Sequence, residues 1–423
     1  MTEDRLLTTE EVARRLGVKK ETVYAYVSRG LLASRRNGDG KASLFAESDV
    51  LAFAAGRRRS RSVPDAPAIH TGITLITDDA LFYRGHAVGV LARTESFESV
   101  VTLLWSGELR HVPLTPDDGL RRLATAVTGP LPPTARLADR LRLIVAAAGA
   151  ADRLRFDTTD AAVVSTGRTM LDTMVAALPV RVSGADPATR FPLACALWRR
   201  LSPVEPTPAG VAALNAALVV LADHDIAAST LAARVAASTR AHPYAVVGAG
   251  LAAMDGPLHG GASGLTYRML AEAVRSGDPV GTVSDRLRAE GWVPGFGHPL
   301  YPAGDPRAAI LLDLLRATPD VDKHRGPTRP PGGDDSDPTG EVVAEVATTV
   351  TRRSGKLPNV DFAVAALALR YRMDLDAGEA VFAVARTAGW LAHALEEYTD
   401  RPSRFRPSGR YAGQLPRDAR PGG

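Results

Sequence analysis

Residues 294–308 read "PGFGHPLYPAGDPRA", with His298 held between glycine-flanked turns and Arg307 following nine residues later. Glycine bares the backbone and permits unusual dihedrals, so a ligand or another chain segment can come close to the adjacent imidazole. On both sides the chain is rich in Ala, Leu and Val at helical spacing, from about His70 to about residue 320. The stretch is therefore a loop set into a helical body. Aromatic residues make up only 5% of the chain, which also favours packed helices over strand sandwiches. The fold expected is mainly α.

With 423 residues, 45% of them hydrophobic and 23% charged, the chain can bury a large core and hold more than one domain. One cysteine, Cys195, cannot form an internal disulfide, and "MTEDRLLTTEEVARRLG" lacks the layout of a secretory signal. A reducing cytoplasm is the expected location. Apolar stretches such as "GVAALNAALVVLA" are too short to span a bilayer core of roughly 30 Å, so no membrane is expected as a partner.

Charge separates the amino terminus from the rest. Residues 1–62 carry 13 Lys/Arg against 8 Asp/Glu, leaving 38 against 39 for the remainder. Within that piece, Thr8 and Glu11 form a capping-box pattern, and Val12 and Leu16 share a helix face. Gly17 can end this helix. "KKETVYAYVSRG" reads as a second one, with Val23 and Val27 facing the first. Asn37-Gly38 is a hairpin signal, and "ESDVLAFAAG" begins a third helix.

Residues 1–56 so arranged resemble the winged helix-turn-helix module of the MerR and excisionase type. The resemblance implies DNA as a partner, with Lys19, Lys20, Thr22 and Tyr24 near the major groove and Arg35 and Arg36 over phosphates. A solvated basic surface on a small packing module is the alternative. Residues 57–69, a basic run followed by prolines, read as a linker, and a new domain begins near His70. Residues 324–340 lose all periodicity and read as an exposed loop.

Beyond His298, two further histidines stand out: His259 in "GPLHGGASG" and His224 in "LADHDIAAST". Each is open to two readings, a turn or cap residue or a reactive imidazole. No cysteine cluster and no i, i+4 histidine pair accompanies them, so no metal is expected. Arg307 and Arg386 either form internal salt bridges or converge on a di- or tricarboxylate. Asp361, after "LPNV", is either a helix N-cap or a functional carboxylate.

Taken in order, "ADHDIAAST", "GPLHGGASG", "GFGHPLYPAGDPRA", "LPNVDFAVAAL", "ARTAGWLAH" and "RFRPSGRYAG" resemble the successive motifs of the citrate synthase family across residues 70–415. The resemblance implies a helical homodimer. A large domain of about 70–260 and 373–423 would pair with a small one of about 261–372. It implies an acyltransferase that condenses oxaloacetate with acetyl-CoA and hydrolyses citryl-CoA, with no cofactor beyond the acetyl-CoA substrate. Asp361 would be the base, His259 the donor to the thioester oxygen and His298 the donor to the ketone. His224, Arg307 and Arg386 would bind substrate, and Arg406 would be donated to the partner subunit's site. Two alternatives are 2-methylcitrate synthesis from propionyl-CoA, and a DNA-binding regulator that uses the synthase-like body as a metabolite sensor. The chain departs from the commonest family pattern at Ser263 and Gly264, in "NVDFAVA", and at Ser408, where a basic residue is usual.

Overall fold

The computed structural model describes residues 6–16, 20–28, 32, 34–36, 43–47, 49–50, 69–182, 191–256, 259–317 and 338–408. The chain divides into two compact units, Met1–His70 and Thr71–Gly423. Lys19, Gly17, most of the linker and nearly all of the 324–340 loop lie outside the described residues. So do the side chains of Leu16, Thr22, Arg35 and Arg36.

In the first unit, strand β1 (Leu6–Thr8) leads into α1 (Thr9–Leu16), followed by α2 (Lys20–Ser28), β2 (Arg35–Arg36) and β3 (Ser43–Ala46). The capping box forms: Thr8 N donates to Glu11 Oε2 at 2.8 Å, and Glu11 N donates to Thr8 Oγ1 at 3.4 Å. Val12 and Val23 are fully buried together with Phe45, and Val27 packs against them. The sheet runs β1-β3-β2, all antiparallel. β2 and β3 pair as an antiparallel hairpin with Arg36 opposite Ser43, and Asn37-Gly38 lies outside the described residues. Burial of Phe45 sets that register.

The second unit opens with a meander, β4 (Thr74–Ile76), β5 (Leu81–Tyr83) and β6 (His86–Ala87), and is otherwise helical. Helices α3 (Val88–Thr94), α4 (Phe97–Ser106), α5 (Asp118–Thr128), α6 (Leu137–Ala151), α7 (Asp160–Ala176) and α8 (Leu193–Leu201) come first. Then follow α9 (Pro208–Leu221), α10 (Ala228–Ser238), α11 (Pro243–Met254), α12 (Ala262–Ser276), α13 (Pro279–Glu290) and α14 (Pro306–Ala317). The last three are α15 (Pro338–Ser354), α16 (Val360–Arg370) and α17 (Ala377–Thr399).

Helix α17 is buried over most of its length, from Ala377 to His393, and it packs on α7, α9, α10 and α11. An apolar helix with no exposed face belongs at the centre of the core. Helices α12, α13, α15 and α16 pack on one another, and α14 joins α16 to α9.

Close approach along α17 depends on glycine. Gly389 N donates to Ala222 O at 3.0 Å, and a Cβ at Gly389 would meet that carbonyl at 2.5 Å as well as the Asp223 carboxylate. The end of α9 is pinned from its other side by Tyr83, fully buried. Its hydroxyl accepts from Asp223 N at 3.1 Å and lies 2.9 Å from Asp223 O and 3.1 Å from Val219 O. Asp223 also accepts from Thr74 Oγ1 at 2.5 Å and sits 3.3 Å from His393 Nε2. Behind His393 stand Arg234, Glu396 and Glu397, a buried ionic network that Arg404 completes.

Gly389→Ala should destabilise the protein by about 1–3 kcal/mol through overpacking against backbone. Gly248→Ala, where a Cβ meets nothing within 4 Å, should be neutral or slightly stabilising. Urea denaturation of the two variants checks this; equal midpoints would contradict the packing at Gly389.

Candidate active site

Three loops carry the candidate groups. The turn after α9 presents His224, whose Nε2 lies 3.0 Å from the Tyr301 hydroxyl. The 294–305 loop presents His298, with ring centroids 5.3 Å from His224 and 5.0 Å from Tyr301. Leu300 N donates to His298 Nδ1 at 3.2 Å. A backbone N–H can only donate, so Nδ1 is the bare nitrogen and Nε2 carries the proton in the neutral ring.

The 294–305 loop is sewn to the start of α16. Asn359 N donates to Gly295 O at 2.9 Å, Gly297 N to Leu357 O at 2.8 Å, and Asn359 Nδ2 to Gly297 O at 3.0 Å. Gly295 has φ +86°, and a Cβ there would meet Thr266 Cγ2 at 2.7 Å, so this crossing needs glycine. Asn359 Oδ1 accepts from Asp361 N and Phe362 N, at 3.1 and 3.3 Å. The cap of α16 is thus Asn359, and the N-cap reading of Asp361 does not hold. Its carboxylate is left for other work.

Arg307 opens α14 and is clamped by Asp305, with Nε at 2.9 Å and Nη2 at 2.8 Å from the two carboxylate oxygens. Asp305 Oδ2 also accepts from Val360 N at 3.0 Å, linking Arg307 to the residue beside Asp361. Burial opposes both charges, yet the pair keeps Asp305 below the ordinary carboxylate range and Arg307 above its usual value. Arg386, 1% exposed, projects from α17; its Nε donates to Leu221 O at 2.8 Å and it stacks 4.5 Å over Phe382. Its Nη1 is buried with no hydrogen-bond partner in the protein, which suits it to an anionic ligand. Phe382 in turn lies 5.6 Å from the ring of His259, whose Nε2 is 2.7 Å from Ser229 Oγ.

Electrostatics follow from this crowding. Burial, then Arg307 and Arg386, drives His224 far below the usual histidine pKa. Burial and then Arg386 bring His259 down to about 4, and burial with Arg307 lowers His298. All three imidazoles are neutral hydrogen-bonding groups at pH 7. Removal of water pushes Asp361 up to about 6 even though Arg307 pulls the other way, and burial brings Arg386 down to about 10. Burial thus moves the carboxyl up and the imidazoles down, each toward its neutral form. Beside His298 and Tyr301 lies a cavity of about 230 Å³ that extends to Lys356 and Leu357.

The structure therefore brings His224, His298, Arg307, Arg386 and His259 within electrostatic reach of one another, and Asp361 within reach of Arg307 and Asp305. Arg406 is exposed. Sequence reasoning missed Tyr301, Asp305, Ser229 and Asn359. Tyr301 and Asp305 lie inside the quoted 294–308 loop, close enough to His298 and Arg307 to have been found. Ser229 also lies inside a quoted motif, "ADHDIAAST", but thirty residues before the His259 it touches. Among the described residues, no group of three His, Cys, Asp or Glu side chains is placed to hold a metal ion, and no helix is long and apolar enough to cross a membrane.

In the first unit, Tyr24 is exposed (55%), whereas Lys20 is engaged by Glu10 at 2.7 Å.

Comparison with known proteins agrees with both units. Residues 6–58 match the helix-turn-helix domain family, and residues 63–408 match the citrate synthase C-terminal domain family. A citrate synthase of Acidithiobacillus ferridurans is 33% identical over 366 residues, covering 80% of this chain and 90% of that protein. A 2-methylcitrate synthase 2 of Corynebacterium glutamicum is 28% identical over 362 residues, covering 81% and 91%. In fold, the chain matches the ternary complex of Thermoplasma acidophilum citrate synthase with carboxymethyl coenzyme A and oxaloacetate. The TM-score is 0.65 at 23% identity, over 84% of this chain and 97% of that one. With its helical body and its gathered histidines, arginines and aspartate, the chain belongs to the citrate synthase family, an acyltransferase preceded by a helix-turn-helix domain.

Proposed function

We propose that the cluster binds oxaloacetate and acetyl-CoA and condenses them to citryl-CoA, which is then hydrolysed to citrate and CoA. The observation that carries this is the meeting of a partly dehydrated carboxyl at Asp361 with neutral imidazoles and two buried guanidinium groups. Arg386, through its unpaired Nη1, and Arg307 would hold the keto-acid carboxylates. His224, oriented by Tyr301, would donate to the same substrate.

Acetyl methyl protons are weakly acidic, so a carboxylate removes one only if the developing oxyanion meets positioned donors away from water. Asp361 would take that proton. Ser229 Oγ, 2.7 Å from Nε2 of His259, would donate to it, which would put the ring proton on Nδ1, free to face the thioester oxygen. His298 Nε2–H would donate to the ketone under attack, so that the new carbon-carbon bond forms as the carbonyl becomes a hydroxyl. These steps draw on side chains alone, with no cofactor besides the acyl-CoA substrate. A lobe of about residues 261–372 would close over the large domain to exclude water. The active form would be a cytoplasmic homodimer in which Arg406 reaches the partner subunit's site.

Propionyl-CoA is the second reading, favoured by the wall after Asp361. There Ala363, Val364 and Ala365 are buried in place of the bulkier, more polar family pattern. One methylene changes discrimination by only about 1–3 kcal/mol, so kcat/KM for both acyl-CoAs decides between them. The helix-turn-helix unit would bind DNA through Lys19, Lys20, Thr22, Tyr24, Arg35 and Arg36. Loss of operator binding at moderate salt on replacing these residues tests it.

Asp361→Asn should nearly abolish thiol release from acetyl-CoA while oxaloacetate binding persists; near-normal turnover would reject Asp361 as the base. Mixed Arg406→Ala and Asp361→Ala subunits should regain activity through hybrid dimers. Lack of rescue with demonstrated subunit exchange would count against the shared site.

A stability change accompanies the first variant. A carboxyl whose pKa rises on folding contributes stability at low pH and loses it as pH climbs past its ordinary value of 3.8 and through about 6. Asp361→Asn never ionises. It should match the parent near pH 4 and exceed it at pH 8 by up to about 3 kcal/mol. Denaturation midpoints at the two pH values measure this, and a constant difference would contradict the raised pKa.

A further inference from the structure

A second cavity, of about 700 Å³, shares none of its lining with His224, His259, His298, Arg307, Asp361 or Arg386. It lies where the starts of α6, α12 and α17 meet the ends of α7 and α8. Five arginines line it: Arg136, Arg140, Arg181, Arg200 and Arg268.

Two of them are neutralised within the protein. Arg136 pairs with Asp139, Asp255 and, at 3.7 Å, Glu379, and Arg181 pairs with Asp374. The other three have no carboxylate within salt-bridge distance among the described residues. Arg140 donates only to the carbonyls of Thr128 and Pro132, at 3.0 and 3.2 Å. Arg200 donates only to those of Ala196 and Ala176, at 2.9 and 3.0 Å, and its Nε is buried without a partner. Arg268, on α12, has no hydrogen bond or ion pair among the described residues.

Backbone adds to the positive field. The residues capping α6, α12 and α17, namely Arg136, Gly261 and Asp376, all line the cavity, and none caps its own helix through a side chain. Asp376 instead accepts from Leu137 N at 2.7 Å, which leaves the first amides of α12 and α17 without side-chain caps from these residues. Helix starts carry partial positive charge and bind anions readily. Burial, then Arg121 and Arg199, bring Arg200 down to about 10 although Asp172 pulls the other way.

We propose that this cavity is a binding site for a phosphate-chain anion, read by Arg140, Arg200 and Arg268 together with the start of α12. Planar guanidinium groups that lack counter-ions match phosphate oxygens bidentately. A ligand here would bridge α12, whose start lies three residues beyond His259, to α6 and α8 in the rest of the body.

The test is titration calorimetry of the full-length protein with inorganic tripolyphosphate, in saturating CoA so that any phosphate affinity of the acyl-CoA site is already satisfied. One equivalent should bind per chain. Arg268→Ala and Arg140→Ala should each weaken binding by about tenfold or more, and Arg268→Lys should recover part of the loss. Turnover with oxaloacetate and acetyl-CoA should be unchanged in Arg268→Ala, which certifies its fold. Arg288→Ala, a surface arginine outside the cavity, is the control and should leave binding intact. Adenosine triphosphate in a parallel arm separates nucleotide from bare phosphate recognition. Binding of the nucleotide without tripolyphosphate binding would overturn the proposal. So would no tripolyphosphate binding at all, or equal weakening by Arg288→Ala.

Discussion

The backbone contact between α17 and the end of α9 is the constraint on which the rest depends. Gly389 lets the two helices touch main chain to main chain, and the bond from its N–H to Ala222 O fixes their spacing. Arg386, less than one turn earlier on α17, then reaches Leu221 O, and His224 emerges two residues after Ala222. Tyr83, Thr74 and His393 hold Asp223 between them, so the turn is restrained on each side by groups distant in sequence. A site residue held by packing and hydrogen bonds of this kind cannot wander, and acid-base geometry tolerates little wandering.

A second restraint is the seam between the 294–298 and 357–361 segments. Without it, His298 and Asp361 would ride on independent loops. Asn359 serves both sides of the seam, capping α16 with its carbonyl oxygen and tying Gly297 with its amide nitrogen. Asp305 extends the same logic, spanning Arg307 and Val360. The result is a patch in which two guanidinium charges face neutral imidazoles. Near those charges a ring gains nothing from protonation, and the histidines remain donors and acceptors of hydrogen bonds.

Much of this was legible from residue types and their order. Glycines around His259 and His298 marked imidazoles a ligand can approach, the Thr8–Glu11 spacing marked a helix start, and the apolar run after Asp361 marked a buried helix. Less legible were residues whose role comes from a remote neighbour: Ser229 beside His259, Tyr83 under Asp223, Glu379 beside Arg136. Asp361 itself was ambiguous, because an aspartate at a helix start is a good cap unless an asparagine two residues earlier already fills that place. The hairpin in the first unit was foreseen, but its register waited on which side of β3 Phe45 would bury.

From the amino-acid order alone come the helical class and the division near residue 70, which depend on local spacing and composition, while the candidate site residues came from the resemblance of the ordered motifs to a known family. Tertiary structure decided which of those side chains are charged, which nitrogen of His298 bears its proton, and which guanidinium nitrogen is left unpaired. Protonation and pairing are set by burial and by charges acting through space, and groups close in space here are as far apart in sequence as Asp223 and His393.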